Sequence, residues 1–522
     1  MNKTKNNIFI RIFFIMFALL MLATFTPIAK EVRNSELVYY SLTLTLLYIG
    51  FGFLFYFAIS KLDLKNNKIA YVALGAVVTW AILLRWIAMH FLQTQPISDF
   101  NQPNLFYEYY KNHGPYTEKV DWSQRDTFQL YYSRFPAWFP YMRLVMLIYN
   151  ITGLNFHAIQ VLNMLLIAGT IIFLYLSAQA VLSRQTALMA GMLFATNPSL
   201  IMYSGITTPD HVTIFLIVLV IFFWTKMEKF RNEWPQKNKR LIIYSAAVII
   251  SCVLVNYFKP LSIFFIVVFL CYEFTVHFFP ALREKYTIKK LWEKVLSFEL
   301  AFLAFLLAAI IGSNFILTKW VESTFKTDVI NSTGLYLLWA YSVDENDNYD
   351  SNVATNIFLE LTEKYNNNYE KVFPEIDKLA VEQFKNNLPI LPKILAQKFY
   401  LVFGSEYGYF GFSNTSVNKE YSQSIVKTLQ TPIMAASLVH MRILYLLSAI
   451  YAIYAIFNKN IDKQILLAAI IIFGFSLVLL LGGVQSRYKS LIVPEWCLIS
   501  AYMCYLFYNA VQNRFYFRKN VE

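Results

Sequence analysis

Long apolar runs and short basic connectors alternate along this chain. The runs fall near 8–29, 37–59, 69–91, 155–182, 186–203, 208–226, 241–258, 260–279, 297–318, 435–457, 464–483 and 491–511. As helices rising 1.5 Å per residue they are long enough to cross about 30 Å of hydrocarbon, so the pattern predicts an all-α polytopic membrane protein with about 12 transmembrane helices. Two stretches break the rhythm. Segment 92–154 is too long for a connector, and its end, 135–149, is apolar. A crossing there would reverse the sidedness of every later basic loop, so the spacing predicts instead an amphipathic helix in the membrane interface, with Trp138, Tyr141 and Arg143 at headgroup depth. Segment 319–434 is hydrophilic, with helical stretches around 352–366 and 372–387 broken at Pro374, Pro389 and Pro392. The expected plan is a membrane domain over 1–318 carrying the external loop 92–154, a small and mostly helical external domain over 319–434, and C-terminal transmembrane helices with a basic cytoplasmic tail over 435–522.

Composition supports that class, because 57% hydrophobic residues against 15% charged cannot be hidden inside soluble cores of a 522-residue chain. Charge then sets the orientation. With the N-terminus inside, the cations of 61–68, Arg184, 226–240, 283–294, 459–463 and 514–519 all fall on one side, and the C-terminus is inside too. The formal charge of +13 is therefore a topology signal and an attraction to anionic lipid, not a nucleic-acid footprint. Lys3, Lys5 and Arg11 precede a first run that is long and lacks an Ala-x-Ala exit, which predicts an uncleaved anchor. The four cysteines lie within predicted spans, so no disulfide framework is implied, and no zinc spacing occurs. Heavy use of Asn, Lys, Ile, Phe and Tyr suits a bacterial cell membrane with a low-GC genome.

Ionisable groups at the edge of hydrocarbon are costly and so are the first suspects for function. Four positions qualify on the outer side: Asp99 after Gln95-Pro96-Ile97-Ser98, Asp210 with His211 after Thr208-Pro209, Lys259 before Pro260, and Arg487 in Gln485-Ser486-Arg487-Tyr488. Each has a structural alternative. Asp99 suits a turn after Pro96, Asp210 suits the first turn of a helix, and Lys259 and Arg487 suit snorkelling to the interface. The aromatic-rich outer loops suit sugar stacking and an interfacial belt equally.

These motifs, in this order, resemble the GT-C superfamily of integral-membrane glycosyltransferases, in the branch of the protein O-mannosyltransferases and the bacterial aminoarabinose transferases of lipid A. The likeness rests on Pro96 to Asp99, on Tyr132-Ser133-Arg134-Phe135-Pro136, on Asn197-Pro198-Ser199, on Thr208-Pro209-Asp210-His211, on Lys259-Pro260 and on Gln485 to Tyr488. One departure is that the first acidic loop follows the third span, where the family often has it after the first. The resemblance implies transfer of a sugar from a polyprenyl-phosphate donor, such as undecaprenyl phosphate, to a glycan, lipid or protein acceptor on the outer face of the cell membrane, with inversion.

In that scheme Asp99 is the base that takes the acceptor proton, made more basic by desolvation. Lys259 and Arg487 bind the donor phosphate as its charge grows. Asp210 orients the acceptor or shares a divalent cation with Asp99, and the metal stays open because few oxygen ligands are in sight. Arg134, His211 and Tyr488 are candidate substrate contacts. No organic cofactor is called for. Two other readings fit twelve spans, a glycolipid flippase and a polysaccharide polymerase or ligase. The first calls for matching halves and polar groups at mid-bilayer, the second for Arg and His chemistry in a large outer loop, and neither pattern is strong here.

Overall fold

The computed structural model describes residues 3–25, 35–231, 239–284, 287–292, 297–330, 332–406 and 420–519. It is a helical membrane bundle. Among the described residues ten helices are long and apolar enough to cross a membrane, fewer than the twelve that hydropathy alone predicts. The first run forms the shorter helix Ile8–Ala23.

The run at 186–203 is broken into Arg184–Ala195 and Pro198–Tyr203. Pro198 has no N–H to continue the ladder, and Asn197 starts the second piece by accepting the Leu200 N–H at 3.0 Å. The break is met by Arg85, fully buried in the helix Asn67–Leu92, which donates to the last-turn carbonyl of Ala195 at 2.8 Å and to Ala81 O at 3.1 Å. A cation on the C-terminal carbonyls of a helix is favourable both as a hydrogen bond and against the helix dipole. Arg184–Ala195 is buried along most of its length, packed among Asn67–Leu92, Phe156–Gln179 and Val493–Lys519, so it needs no lipid-facing surface of its own.

The basic connectors meet at one end of the bundle. Lys3–Lys5 pairs antiparallel with Asn460–Asp462, a small two-stranded sheet in a chain otherwise expected to be all helix, and Asn6 Nδ2 donates to Ala455 O at 2.8 Å. Arg184 donates to Lys65 O at 3.1 Å and Asn67 Oδ1 at 2.6 Å. Lys463 pairs with Glu228 at 2.6 Å, His277 with Glu228 at 2.9 Å and Arg231 with Glu273 at 2.5 Å. Lys237, Lys285 and Lys294 lie outside the described residues.

Asp462 caps the helix Lys463–Leu481 through the Gln464 N–H, yet it is buried, which pushes its carboxyl from 3.8 up to about 6. The fold therefore favours the protonated form. That stabilisation is complete below pH 3.8 and disappears as pH rises through 6. Asn keeps the capping oxygen without the charge, so Asp462→Asn is expected to match the wild type in detergent melts near pH 4 and to exceed it at pH 8 by on the order of 2 kcal/mol. A difference that does not change with pH would mean that the carboxylate is hydrated in the fold.

The opposite end carries the long segments. Residues 92–154 form the short 3-10 turn Ser98–Asn101 and the helices Gln102–His113, Thr127–Arg134 and Phe139–Thr152. Asp126 and Gln129 close a reciprocal capping box at the start of Thr127–Arg134. Phe106, Tyr132, Phe139 and Phe325 pack into an aromatic core. Phe139–Thr152 keeps one apolar face exposed, with Leu147 and Ile151 outward, but Tyr141, expected at headgroup depth, is fully buried. The aromatic face of this helix packs inward because neighbouring rings offer it a core.

Three further helices, Thr333–Tyr341, Ser351–Lys364 and Tyr369–Asn386, build a small layer around Leu335, Phe358, Phe373 and Ile376, and a fourth, Leu391–Phe403, puts Val402 and Phe403 into the main core of the bundle. Pro374 lies inside Tyr369–Asn386 and does not break it; one ladder bond is forfeited where the buried face of the helix holds it in place. The layer docks on the first loop through Trp122 against Tyr369, with ring centroids 5.4 Å apart.

Candidate functional site

Four segments distant in the sequence meet at this second end. The first is the turn that closes Asn67–Leu92. Gln93 stops the helix in the left-handed region, at φ 47°, and Thr94 Oγ1 donates to Gly205 O at 3.0 Å. A side chain on Gly205 would meet Thr94 Oγ1 at 2.5 Å, so glycine is required for this approach. The turn then buries Phe100 against Tyr203, Ile206 and Trp138, which fixes its neighbour Asp99 at the rim.

The second segment is 203–211. Asp210 opens the helix Asp210–Phe230 after Pro209, a first-turn acid that favours the helix dipole without making a capping hydrogen bond. It is 1% exposed, its Oδ1 lies 2.5 Å from Lys259 Nζ, and its Oδ2 accepts from Tyr203 Oη at 2.6 Å. The Lys259 approach is close in distance but poorly aligned as a hydrogen bond, leaving Oδ1 held chiefly by charge. Lys259 is the third contribution. It leaves the end of Lys239–Phe258, where Pro260 prevents continuation, and its ammonium sits 4.7 Å above the Tyr488 ring. The fourth is the 3-10 turn Ser486–Ile492. Arg487 Nη1 donates to Tyr203 Oη at 3.1 Å, and its guanidinium lies 4.8 Å from the Phe100 ring and 5.3 Å from Tyr488.

Tyr203 thus joins Arg487 to Asp210, and Asp210 joins Tyr203 to Lys259. Two cations against one carboxylate leave the cluster with one positive charge. It is largely dry: Arg487 is 7% exposed and the Lys259 side chain 19%, so an anion entering here meets little screening by water. A buried pair beside it holds the 486–492 turn. Lys489, fully buried, is paired with Glu406 and donates to Val402 O at 2.8 Å and Ser405 O at 3.0 Å, while Ser199 Oγ donates to Glu406 Oε2 at 2.6 Å.

Asp99 stands next to this cluster and not within it. Its carboxylate is exposed and not buried at the hydrocarbon edge. Burial first and the Asp99 charge second raise the proton affinity of the Tyr132 phenol, and both act on Tyr131 as well. Arg134 lies in the same neighbourhood with its guanidinium between the Phe135 and Phe358 rings, at 4.3 and 4.5 Å. Burial lowers its proton affinity, partly offset by Tyr369, Tyr131 and Asp99. Tyr336 packs on the same rim, its ring 6.3 Å from Phe135 and 5.5 Å from Trp339.

Of the residues expected at the site, Asp210, Lys259, Tyr488 and Arg487 are joined in one chain of contacts that Tyr203 closes, and Asp99 and Arg134 border them. His211 is 2% exposed and its Nε2 donates to Tyr203 O at 3.2 Å, which places it behind the site and out of substrate reach. The two oxygens of Asp210 face Lys259 and Tyr203. Among the described residues the one group with three close metal-ligating side chains, Glu228, Glu273 and His277, is at the opposite end of the bundle.

Residues 76–322 match the family model described as dolichyl-phosphate-mannose-protein mannosyltransferase. The match contains Asp99, Arg134, Asp210, His211 and Lys259 and ends before Arg487 and Tyr488. No curated protein matches the chain. Among solved structures it is similar to the crystal structure of ArnT from Cupriavidus metallidurans bound to undecaprenyl phosphate, at 10% identity and a TM-score of 0.30, over 82% of this chain and 76% of that one; a likeness that distant carries no argument about the site.

Proposed function

We propose that this chain, a membrane glycosyltransferase by the dolichyl-phosphate-mannose-protein mannosyltransferase domain at residues 76–322, moves a sugar from a polyprenyl-phosphate donor, such as an undecaprenyl-phosphate sugar, to a cell-envelope acceptor at the extracytoplasmic face. The observation that carries this reading is the convergence of Lys259 and Arg487 on Asp210 and Tyr203, at the end of the bundle away from the basic connectors and one residue from Asp99. The positive-inside rule assigns that end to the outside.

The chemistry follows from the charges. A donor phosphodiester carries one negative charge and matches the one positive charge of the cluster. When the bond between anomeric carbon and phosphate oxygen breaks, the lipid phosphate becomes a monoester of about −1.5 to −2 at neutral pH. Arg487 presents a planar fork to its oxygens, and Lys259, turning from Asp210, adds a point charge as the second negative charge grows. In a partly dry site such fixed cations act more strongly on the transition state than on the ground state.

Asp99 accepts the proton of the attacking hydroxyl, and the acceptor covering it would exclude the water that now reaches it. Attack from the face opposite the phosphate inverts the anomeric centre. Arg134, a half-buried cation held by two rings, is placed to contact the sugar or acceptor.

The test uses purified protein in liposomes with undecaprenyl-phosphate-linked radiolabelled sugar and envelope extract as acceptor. The expected result is label in the acceptor fraction with release of undecaprenyl phosphate. Label that crosses the bilayer with its phosphate bond intact would overturn the reading in favour of a flippase.

A further inference from the structure

A separate cavity of about 740 Å³ opens beside the Asp99 turn, within the range of small-ligand sites. The turn contributes to both places. Phe100 faces Arg487, whereas Thr94, Gln95, Pro96 and Asn101 line the cavity. The lining differs in kind from the cation cluster: it has amides, Glu108, His90 and His157 over an apolar floor that includes Leu154 and Phe156, and neither Lys nor Arg. Phosphate finds no lysine or arginine there. Hydroxyls, which donate and accept, have partners throughout.

The polar wall is held in advance. Tyr149 Oη donates to Asn104 Oδ1 at 2.5 Å, and Asn104 Nδ2 donates to Asn101 Oδ1 at 3.0 Å, two residues from Asp99. Gln93 enters the wall in a left-handed conformation that a non-glycine residue adopts only against resistance. His157 is oriented as well. Gln160 Nε2 donates to Gly205 O at 3.2 Å, which turns Oε1 toward His157 Nδ1 at 2.8 Å. The proton of a neutral ring is thereby drawn to Nδ1, and Nε2 is an acceptor.

We propose that this cavity is the acceptor subsite and that it takes neutral sugar residues of a glycan, through the amides of Gln93, Gln95, Asn101 and Asn104. Pro96 and Asn101, which flank Asp99 in the turn, line the cavity, whereas Phe100 of the same turn lies against Arg487. The proposal rests on the transfer reading for the occupant's role and on the lining alone for its chemistry.

The test is saturation-transfer NMR on the detergent-solubilised full chain with maltotriose and N,N′-diacetylchitobiose as probes. At least one sugar is expected to give a signal that inorganic phosphate does not displace and that both Gln95→Trp and Leu154→Trp, substitutions at exposed lining positions that fill the cavity, abolish. The thermal shift produced by undecaprenyl phosphate is measured on the same samples and is expected to survive in both variants, which certifies their folding. No signal from either sugar, or a signal retained by both variants, overturns the proposal. A wild type that binds sugar but shows no shift with undecaprenyl phosphate leaves the cavity assignment standing and removes the donor reading instead.

Discussion

Replacing Asp99 by Asn is expected to lower kcat by about 10² to 10⁴ while leaving the melting temperature and the binding of undecaprenyl phosphate unchanged. The substitution is nearly isosteric and removes only the ability to take a proton. Its structural neutrality follows from position. Asp99 is exposed and forms no ion pair among the described residues, and the turn is anchored by the burial of Phe100 and by Thr94 on Gly205, not by the carboxylate. The donor phosphate, if held by Lys259 and Arg487, loses no partner. Two measurements check this: single-turnover release of undecaprenyl phosphate with saturating acceptor, and the thermal shift on adding undecaprenyl phosphate alone. Wild-type turnover would end the assignment of Asp99 as the base, and a lost thermal shift would mean that the residue serves the donor.

Much of this site was legible in the sequence because it is made of groups that hydrocarbon penalises. Asp210, Lys259 and Arg487 stand at the ends of apolar runs, and the sidedness of the basic connectors was enough to put them on one boundary; the contacts at 2.5, 2.6 and 3.1 Å add the order in which they are joined. The spacing left open whether Asp210 caps a helix or serves the site. In the fold it makes no capping hydrogen bond, and its carboxylate is buried against Lys259 and Tyr203. Tyr203, the link between Arg487 and Asp210, carried no signal because one tyrosine among the 36 of this chain looks like any other member of an interfacial belt. Arg85 does carry a signal: an arginine inside a 26-residue apolar helix needs a partner, and the broken ladder at Asn197-Pro198 supplies it through Ala195 O. That same dipeptide explains why the run at 186–203 forms two short helices, since a window average cannot see a missing N–H. The acceptor cavity was invisible, its lining being amides and histidines gathered from 89–108 and 149–157 by a turn whose direction only the fold supplies.

The Lys259–Asp210 pair separates catalysis from stability. Lys259→Met alone leaves the Asp210 carboxylate 1% exposed and without its cation, which is expected to destabilise the fold by about 3 kcal/mol, the lower end for breaking a buried pair because Tyr203 still donates to it. Adding Asp210→Asn removes the stranded charge and preserves an acceptor for the Tyr203 hydroxyl, so the double variant should regain most of the lost melting temperature. Transfer should not return with it. If Lys259 meets the phosphate as the donor bond breaks, its absence lowers kcat by about 10² to 10³ in the single and the double variant alike. Asp210→Asn by itself leaves Lys259 charged but no longer held in place, and is expected to retain more activity than either. A double variant that recovers transfer together with stability would make the pair a structural clamp and leave Arg487 alone with the phosphate.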